Sequence, residues 1–278
     1  MKIAKSVTNS TMAALGLLST LLPVSQIAHA QGDLADSFVA PTVFQAAGPN
    51  AASIQGTVDA FRAALGDPNN GNNPGPLASG RREINWDGGD PNITDTTAPV
   101  TPFDVFLNTR GLHLTTPGLG LSQAPPSGGT QGGLAVLFNN PTYGTIFTTF
   151  SPSRLFTPVG SNVTDGSFFI PGTTGASPAT VSGFGAVFTD VDQPDGGKPH
   201  KAGTRIVYFD RDGNRIFSSF VPASPGDASL SFFGIKFNDA RIASFQITAG
   251  ETPGPNDDRR HDIVMMDDFI YGEPQPLQ

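Results

Sequence analysis

The sequence predicts an all-β protein in which two antiparallel sheets pack face to face as a jelly-roll-like β-sandwich. Three observations lead to this prediction. The 278 residues include 33 glycines and 25 prolines, a content that favours short strands joined by turns. Short runs of β-branched and aromatic residues recur, and six of them fall between Val181 and Tyr271. Helical periodicity is found at one place near the N-terminus.

The first 30 residues have the features of a secretory signal peptide. Lys2 and Lys5 form a positive start, residues 12–24 are apolar, and Ala28, His29 and Ala30 supply a small-x-small cleavage site. We therefore expect an exported protein, periplasmic or extracellular. The apolar stretch is short and interrupted, so no membrane span is expected after cleavage.

Cleavage would leave residues 31–278, which we interpret as a single β-sandwich domain with long loops rich in Gly, Pro and Asn. It removes two lysines and no acids, so 16 − 2 = 14 basic residues remain against 24 acidic ones, a net charge of −10. This charge argues against nucleic acid as a partner. Cysteine is absent, so disulfides and thiolate metal sites are excluded and a cation bound by oxygen ligands is the remaining means of cross-linking loops.

One short helix and a series of strands are predicted along the chain. Thr57 is the candidate N-cap of the helix, Val58, Phe61 and Leu65 share one face, and Gly66 is the stop. Residues 116–133 are rich in Gly, Ser and Pro and are predicted to be a flexible surface segment. The predicted strands are residues 36–44, 81–86, 103–107, 112–115, 134–138, 145–150, 154–157, 167–170, 181–188, 204–209, 214–221, 229–237, 241–248 and 263–271.

The last predicted strand contains two adjacent acids in an apolar run. Strict alternation places Met265, Asp267 and Phe269 on one face, and Met266 and Asp268 on the other. Because both faces are apolar, the strand is predicted to lie inside a sheet. A buried carboxylate needs a cation, an arginine or a set of hydrogen-bond donors, so this pair requires a partner.

A calcium site is predicted from these acids and a second group. Asp190 and Asp192 follow the predicted strand 181–188, and they could meet Asp267 and Asp268 if the two strands are neighbours. Asp262 lies near the same end. The alternative is that Asp190 and Asp192 cap a loop while Asp267 pairs with an arginine such as Arg82, Arg205 or Arg241.

A ligand site is predicted around Trp86. An aromatic ring flanked by Asn85 and Asp87 has the chemistry of a sugar contact, since the ring stacks on the sugar and the polar groups bind its hydroxyls. The alternative is that Trp86 anchors the core.

No catalytic motif of the G-x-S-x-G, H-E-x-x-H or phosphate-loop kind is present. A polysaccharide hydrolase using Glu83 and Asp87 remains an alternative, as does a purely structural envelope or matrix component.

A resemblance to known proteins is carried by four segments and one upstream companion. The segments are G-F-G-A-V-F-T-D-V-D, Y-F-D-R-D-G-N, S-F-F-G-I-K-F and D-I-V-M-M-D-D-F-I-Y, and the companion is G-R-R-E-I-N-W-D-G. This pattern resembles uncharacterised exported bacterial β-sandwich proteins that are similar to jelly-roll carbohydrate-binding modules. The resemblance implies a structural calcium that joins the terminal strand to a loop. It leads us to expect a secreted, non-catalytic, calcium-stabilised protein that binds an extracellular glycan or surface polymer.

Overall fold

The computed structural model describes residues 40–88, 99–193, 203–254, 256–257 and 261–277. The predicted signal peptide lies outside these residues. Within them the chain forms fourteen strands and four helices, and no helix there is long and apolar enough to cross a membrane. The helices are α1 Ala51–Leu65, α2 Leu107–Arg110, α3 Gly133–Leu137 and α4 Tyr143–Ile146; the strands are β1 Thr42–Gly48, β2 Arg81–Ile84, β3 Leu112–Thr115, β4 Gly120–Ala124, β5 Leu155–Val159, β6 Val163–Phe168, β7 Ala179–Thr180, β8 Gly183–Thr189, β9 Arg205–Phe209, β10 Arg215–Phe220, β11 Leu230–Lys236, β12 Ser244–Thr248, β13 Met265–Gly272 and β14 Gln275–Pro276.

The strands pair in antiparallel sheets, as the sequence predicts. A seven-stranded sheet has the order β1-β11-β8-β13-β5-β4, with β2 also paired to β13. A five-stranded sheet has the order β10-β9-β12-β6-β3, and β7 and β14 form a small third sheet. The larger core takes side chains from both main sheets: Phe184 of β8 stacks on Phe245 of β12 with ring centroids 3.8 Å apart.

Helix α1 covers the other face of the seven-stranded sheet. Ile54, Val58, Phe61 and Leu65 face a cluster that includes Phe232 of β11, so the predicted apolar face of the helix is confirmed. Its predicted start at Thr57 is wrong. The helix begins two turns earlier because the Asn50 side chain accepts a hydrogen bond from the Ser53 backbone N–H at 3.2 Å and caps the first turn.

Several other segments differ from the prediction. Residues 103–107 are not a strand, because Phe103 forms only an isolated bridge with Leu114 and helix α2 begins at Leu107. Residues 134–138 and the start of residues 145–150 form the one-turn helices α3 and α4, which cover β4 and β5 through Leu134, Tyr143 and Ile146. Short apolar runs do not distinguish a strand from a buried helical turn, which explains the error. Within the predicted surface segment 116–133, residues Gly120–Ala124 are instead the buried strand β4.

Strand β13 lies inside the seven-stranded sheet, between β8 on one side and β2 and β5 on the other. Its register with β8 shifts between Met266, opposite Phe188, and Phe269, opposite Ala186. The bulge places one extra residue in β13 and breaks the predicted alternation. Met266 and Phe269 therefore face the same core, whereas Met265 joins the cluster under α3 and α4.

Candidate functional site: an acidic cluster at the end of strand β8

Three chain connections bring aspartates together where β8 ends. Asp190 and Asp192 follow β8, Asp227 lies between β10 and β11, and Asp257 and Asp262 lie between β12 and β13. The negative charges of the other four all act on the Asp190 carboxyl. The neighbouring strand ends are held by β-pairing, since Thr189 lies opposite both Leu230 of β11 and Met265 of β13.

The Asp190 carboxyl is buried without a hydrogen-bond donor from any described residue. The residue is 1% exposed and both carboxyl oxygens lack a donor. The carboxyl of Asp257 meets it, and that contact is a hydrogen bond only while Asp190 holds a proton. Burial, reinforced by the charge of Asp257 and the other acids, raises the pKa of Asp190 to about 9.

The backbone fixes this unfavourable placement. Asp190 adopts φ 68°, a left-handed conformation that Asp and Asn tolerate better than most residues, and its N–H donates to the Ser229 carbonyl at 3.1 Å. The buried hydroxyl of Ser229 also lacks a partner among the described residues. Two polar side chains at neighbouring positions are therefore unsatisfied.

Asp192 and Asp262 bind backbone donors instead. Asp192 Oδ1 accepts from the Gly226 N–H at 2.8 Å. Asp262 accepts long hydrogen bonds from the N–H groups of Asp192 at 3.5 Å and Gln193 at 3.4 Å. Burial raises the pKa of Asp262 to about 7 despite these donors, so the two hydrogen bonds do not offset the cost of burying the charged carboxylate.

The chemistry of these groups fits a hard divalent cation. Carboxylate, hydroxyl and carbonyl oxygens are the ligands that calcium takes, and a dipositive ion would neutralise the mutual repulsion. Across the described part of the chain, no three His, Cys, Asp or Glu side chains are already gathered as a metal-ligand set. Binding would therefore draw the carboxylates of this cluster closer together.

Asp267 and Asp268 lie in a different environment, so the four predicted ligands do not form one group. Asp267 Oδ2 accepts from the N–H groups of Phe150 at 2.6 Å and Ser151 at 3.3 Å. The Ser151 hydroxyl donates to Asp268, which also meets Arg62 Nη2 at 3.4 Å. Burial raises the pKa of both acids, and the charge of Asp268 adds to the effect on Asp267. Internal donors and a proton can satisfy this pair without a metal.

The arginine alternative is wrong for Asp267, which contacts no arginine among the described residues, although its neighbour Asp268 does. Arg62, on helix α1, is the arginine that contacts the acid pair, and it contacts Asp268 rather than Asp267. Arg82 instead forms a fully buried ion pair with Glu273, with both N–O distances 2.7 Å. Arg241 pairs with Asp239.

Trp86 is a core residue, as the alternative interpretation held. It is 0% exposed, its ring stacks on Phe156 with centroids 3.8 Å apart, and its Nε1–H donates to the Asp267 carbonyl at 3.0 Å. The ring therefore offers no open face to a sugar. Asp87 also has a structural role, since its Oδ1 accepts from the N–H groups of Ser153 at 2.7 Å and Arg154 at 3.1 Å.

Asn85 is exposed and lines a pocket of about 310 Å³. Glu83 lies in the same wall, with its two oxygens bound by Arg81 Nε at 2.7 Å and Arg62 Nη2 at 2.8 Å. The carboxylates of Glu83 and Asp87 are thus both engaged in hydrogen bonds, and neither has the free geometry of a general acid or base. Arg110 lines this pocket too, and no pattern in the sequence distinguishes it from other arginines.

Two members of the acidic cluster, Asp227 and Asp257, are not among the metal ligands predicted from the sequence. Asp257 belongs to an acidic and basic run that is typical of a solvated loop, and Asp227 is a single acid in a turn. Their convergence depends on the β-pairing of distant strands. A search against protein-family models, curated proteins and solved structures finds no match to this chain.

Proposed function

We propose that this protein is an exported, non-catalytic β-sandwich of the jelly-roll kind that calcium stabilises and that binds an extracellular glycan or surface polymer. The observation that carries the proposal is the Asp190 carboxyl, which is buried, has no donor among the described residues and faces other acids. Such a group costs several kcal/mol unless a proton or a cation neutralises it. An ion at this place would join three connections of the chain.

The shared aromatic core of the two main sheets supports the sandwich part of the proposal. The pocket beside Asn85 supports the ligand part, because exposed amides and the Phe106 ring line it. The hydrolase alternative gains no support, since Glu83 and Asp87 are held in hydrogen bonds and ion pairs.

Thermal unfolding of the full chain tests the calcium part. Calcium at about 100 times its dissociation constant should stabilise the folded state by about 2.7 kcal/mol, and at 2–4 °C per kcal/mol this raises Tm by about 5–10 °C over the chelated protein. If neither chelator nor calcium changes Tm, calcium does not stabilise the protein.

A glycan array tests the ligand part of the proposal. Binding without release of product supports it. Release of product would indicate the hydrolase, and the absence of binding would indicate a structural component.

A further inference from the structure

Two of the three guanidinium nitrogens of Arg110, Nε and Nη1, have no hydrogen-bond acceptor among the described residues. Both atoms are buried. The backbone is fixed, because the Arg110 carbonyl accepts from the Tyr271 hydroxyl at 3.0 Å. Burial lowers the pKa of Arg110 and the positive charge of Arg82 adds to this effect, whereas the electrostatic interactions with Tyr271 and Glu83 oppose it. A half-buried guanidinium with two unpaired nitrogens is costly, and Arg110 remains charged in spite of this cost.

The neighbouring arginines are all neutralised. Arg62 and Arg81 bind the two oxygens of Glu83, and Arg82 binds Glu273. Glu83, the carboxylate in the pocket wall, is thus already shared between two cations. Arg110, which Glu83 reaches only through its charge, keeps two guanidinium nitrogens without an acceptor among the described residues.

The pocket has the size and lining of a site for a small polar ligand. Its volume of about 310 Å³ is at the lower end of the range of roughly 300–1,000 Å³ found for small-molecule sites. Asn72 and Asn85 contribute exposed amides, and Phe106 contributes part of an aromatic ring. Amides suit hydroxyl groups, and an aromatic ring suits the apolar face of a sugar.

We infer that this pocket binds the carboxylate of an acidic sugar, with Arg110 as its cationic partner. A guanidinium can donate two parallel hydrogen bonds to a carboxylate, which a neutral sugar cannot accept in the same way. The inference rests on the proposed glycan-binding function and narrows it to polymers that contain uronic acids. It does not depend on the calcium site.

Isothermal titration of the full chain with uronic acid oligosaccharides and their methyl esters tests the inference. The panel should include galacturonate, glucuronate and mannuronate oligomers, with acetate and inorganic phosphate as free anions. We expect at least one acidic oligomer to bind at least tenfold more tightly than its ester and than either free anion. Equal binding of acid and ester, or tighter binding of a free anion, would overturn the inference and leave glycan binding as such untouched. Binding of no oligomer would refute the glycan function itself.

Arginine variants connect the binding to this pocket. Arg110→Gln should reduce affinity for the acidic oligomer at least tenfold, whereas Arg110→Lys should retain part of it because the charge stays and the planar fork is lost. Arg211→Gln is the matched control, since Arg211 is exposed in the β9–β10 turn and its removal should leave affinity unchanged.

Thermal unfolding separates a binding role of Arg110 from a structural one. Removal of a half-buried guanidinium with two unpaired nitrogens should leave Tm unchanged or raise it. A fall in Tm of more than a few degrees in Arg110→Gln, with the affinity for the acidic oligomer unchanged, would assign Arg110 a structural role and contradict the inference.

Discussion

Asp190 and Asp267 are both buried aspartates, but their carboxyl groups have different surroundings. Asp267 accepts backbone N–H groups of Phe150 and Ser151, whereas Asp190 has other acids around it and no donor among the described residues. The difference depends on which loop folds over each strand. At the scale of the residue, burial alone therefore does not favour a cation; the proposal rests on the lack of a donor to Asp190 among the described residues.

Replacement of Asp190 should stabilise the calcium-free protein at alkaline pH. Asn has nearly the same shape and tolerates the left-handed backbone at this position, so Asp190→Asn removes the charge without adding strain. At pH 8 in chelator we expect Tm of Asp190→Asn to exceed that of the unmodified chain by at least about 2–4 °C, equivalent to about 1 kcal/mol.

At pH 3 the two proteins should melt together, because Asp190 is then largely neutral in the unfolded state, with a pKa of about 3.9, as well as in the folded state. Asp190→Ala, which lacks the polar group and fits φ 68° poorly, should gain less at pH 8. A lower Tm for Asp190→Asn than for the unmodified chain at pH 8 in chelator would show that the carboxylate already has a favourable partner.

Among the elements, strand β13 organises the described part of the chain. It pairs with β8, β2 and β5, and at its bulge both Asp267 and Asp268 contact Ser151 while Asp268 also contacts Arg62. The residues after it are fixed by Glu273, which accepts from Arg82, from the Asn70 side chain at 2.8 Å and from the Leu77 N–H at 3.1 Å. This buried network ties the loop before β2 to the chain beyond β13.

Loss of one partner of the Arg82–Glu273 ion pair should destabilise the fold strongly. Arg82→Met leaves the Glu273 carboxylate buried without its cation, so we expect a loss of about 3–5 kcal/mol in the free energy of unfolding. The double variant Arg82→Met with Glu273→Leu should lose less than the sum of the two single variants. Urea unfolding of all four proteins measures this coupling, and strictly additive losses would show that the pair does not act as a unit.

The sequence predicts strands better than it predicts their connections. The strand β3 and the five strands β8 to β12 fall within or next to their predicted ranges, because each is a distinct β-branched or aromatic run bounded by turn residues. Strand β4 was missed because Gly120 and Ser122 give it the composition of a loop, although it is buried. The bulge in β13 has no sequence signal, so the facing directions of Met265 and Met266 could not be predicted.

The candidate site was predicted in part for the same reason. Strands β8 and β13 are neighbours, which is the condition that the calcium prediction set, yet their pairing brings Asp190 near Asp262 rather than near Asp267 and Asp268. The meeting of Asp227 and Asp257 with them depends on loops that only the fold brings together.

In the molecule as a whole, an uncompensated acidic cluster should give the calcium-free protein an inverse dependence of stability on pH. The folded-state pKa values of Asp190, about 9, and Asp262, about 7, lie above the unfolded value of about 3.9, so the folded state holds protons that the unfolded state releases. Their contribution is fully present below about pH 4 and is lost as pH rises through 7 and 9.

Calorimetry in chelator between pH 5 and 8 should therefore show Tm falling as pH rises. The free energy of unfolding should decrease by up to about 1.4 kcal/mol per pH unit for each proton that the folded state holds and the unfolded state has released. Calcium should reverse this trend because it competes with protons for the carboxylates, so the calcium-induced rise in Tm should grow with pH. A Tm that rises between pH 5 and 8 in chelator would contradict the raised pKa values of the cluster.

Direct calcium binding tests the central claim that Asp190 and its neighbours hold a divalent cation. Isothermal titration at pH 8, after removal of bound metal with a chelator, should detect one calcium ion per chain, and Asp190→Asn should weaken or abolish the binding. Asp212→Asn, which removes an exposed acid of the β9–β10 turn, should bind calcium like the unmodified chain. Absence of binding to the unmodified chain, or equal binding by Asp190→Asn, would contradict the account.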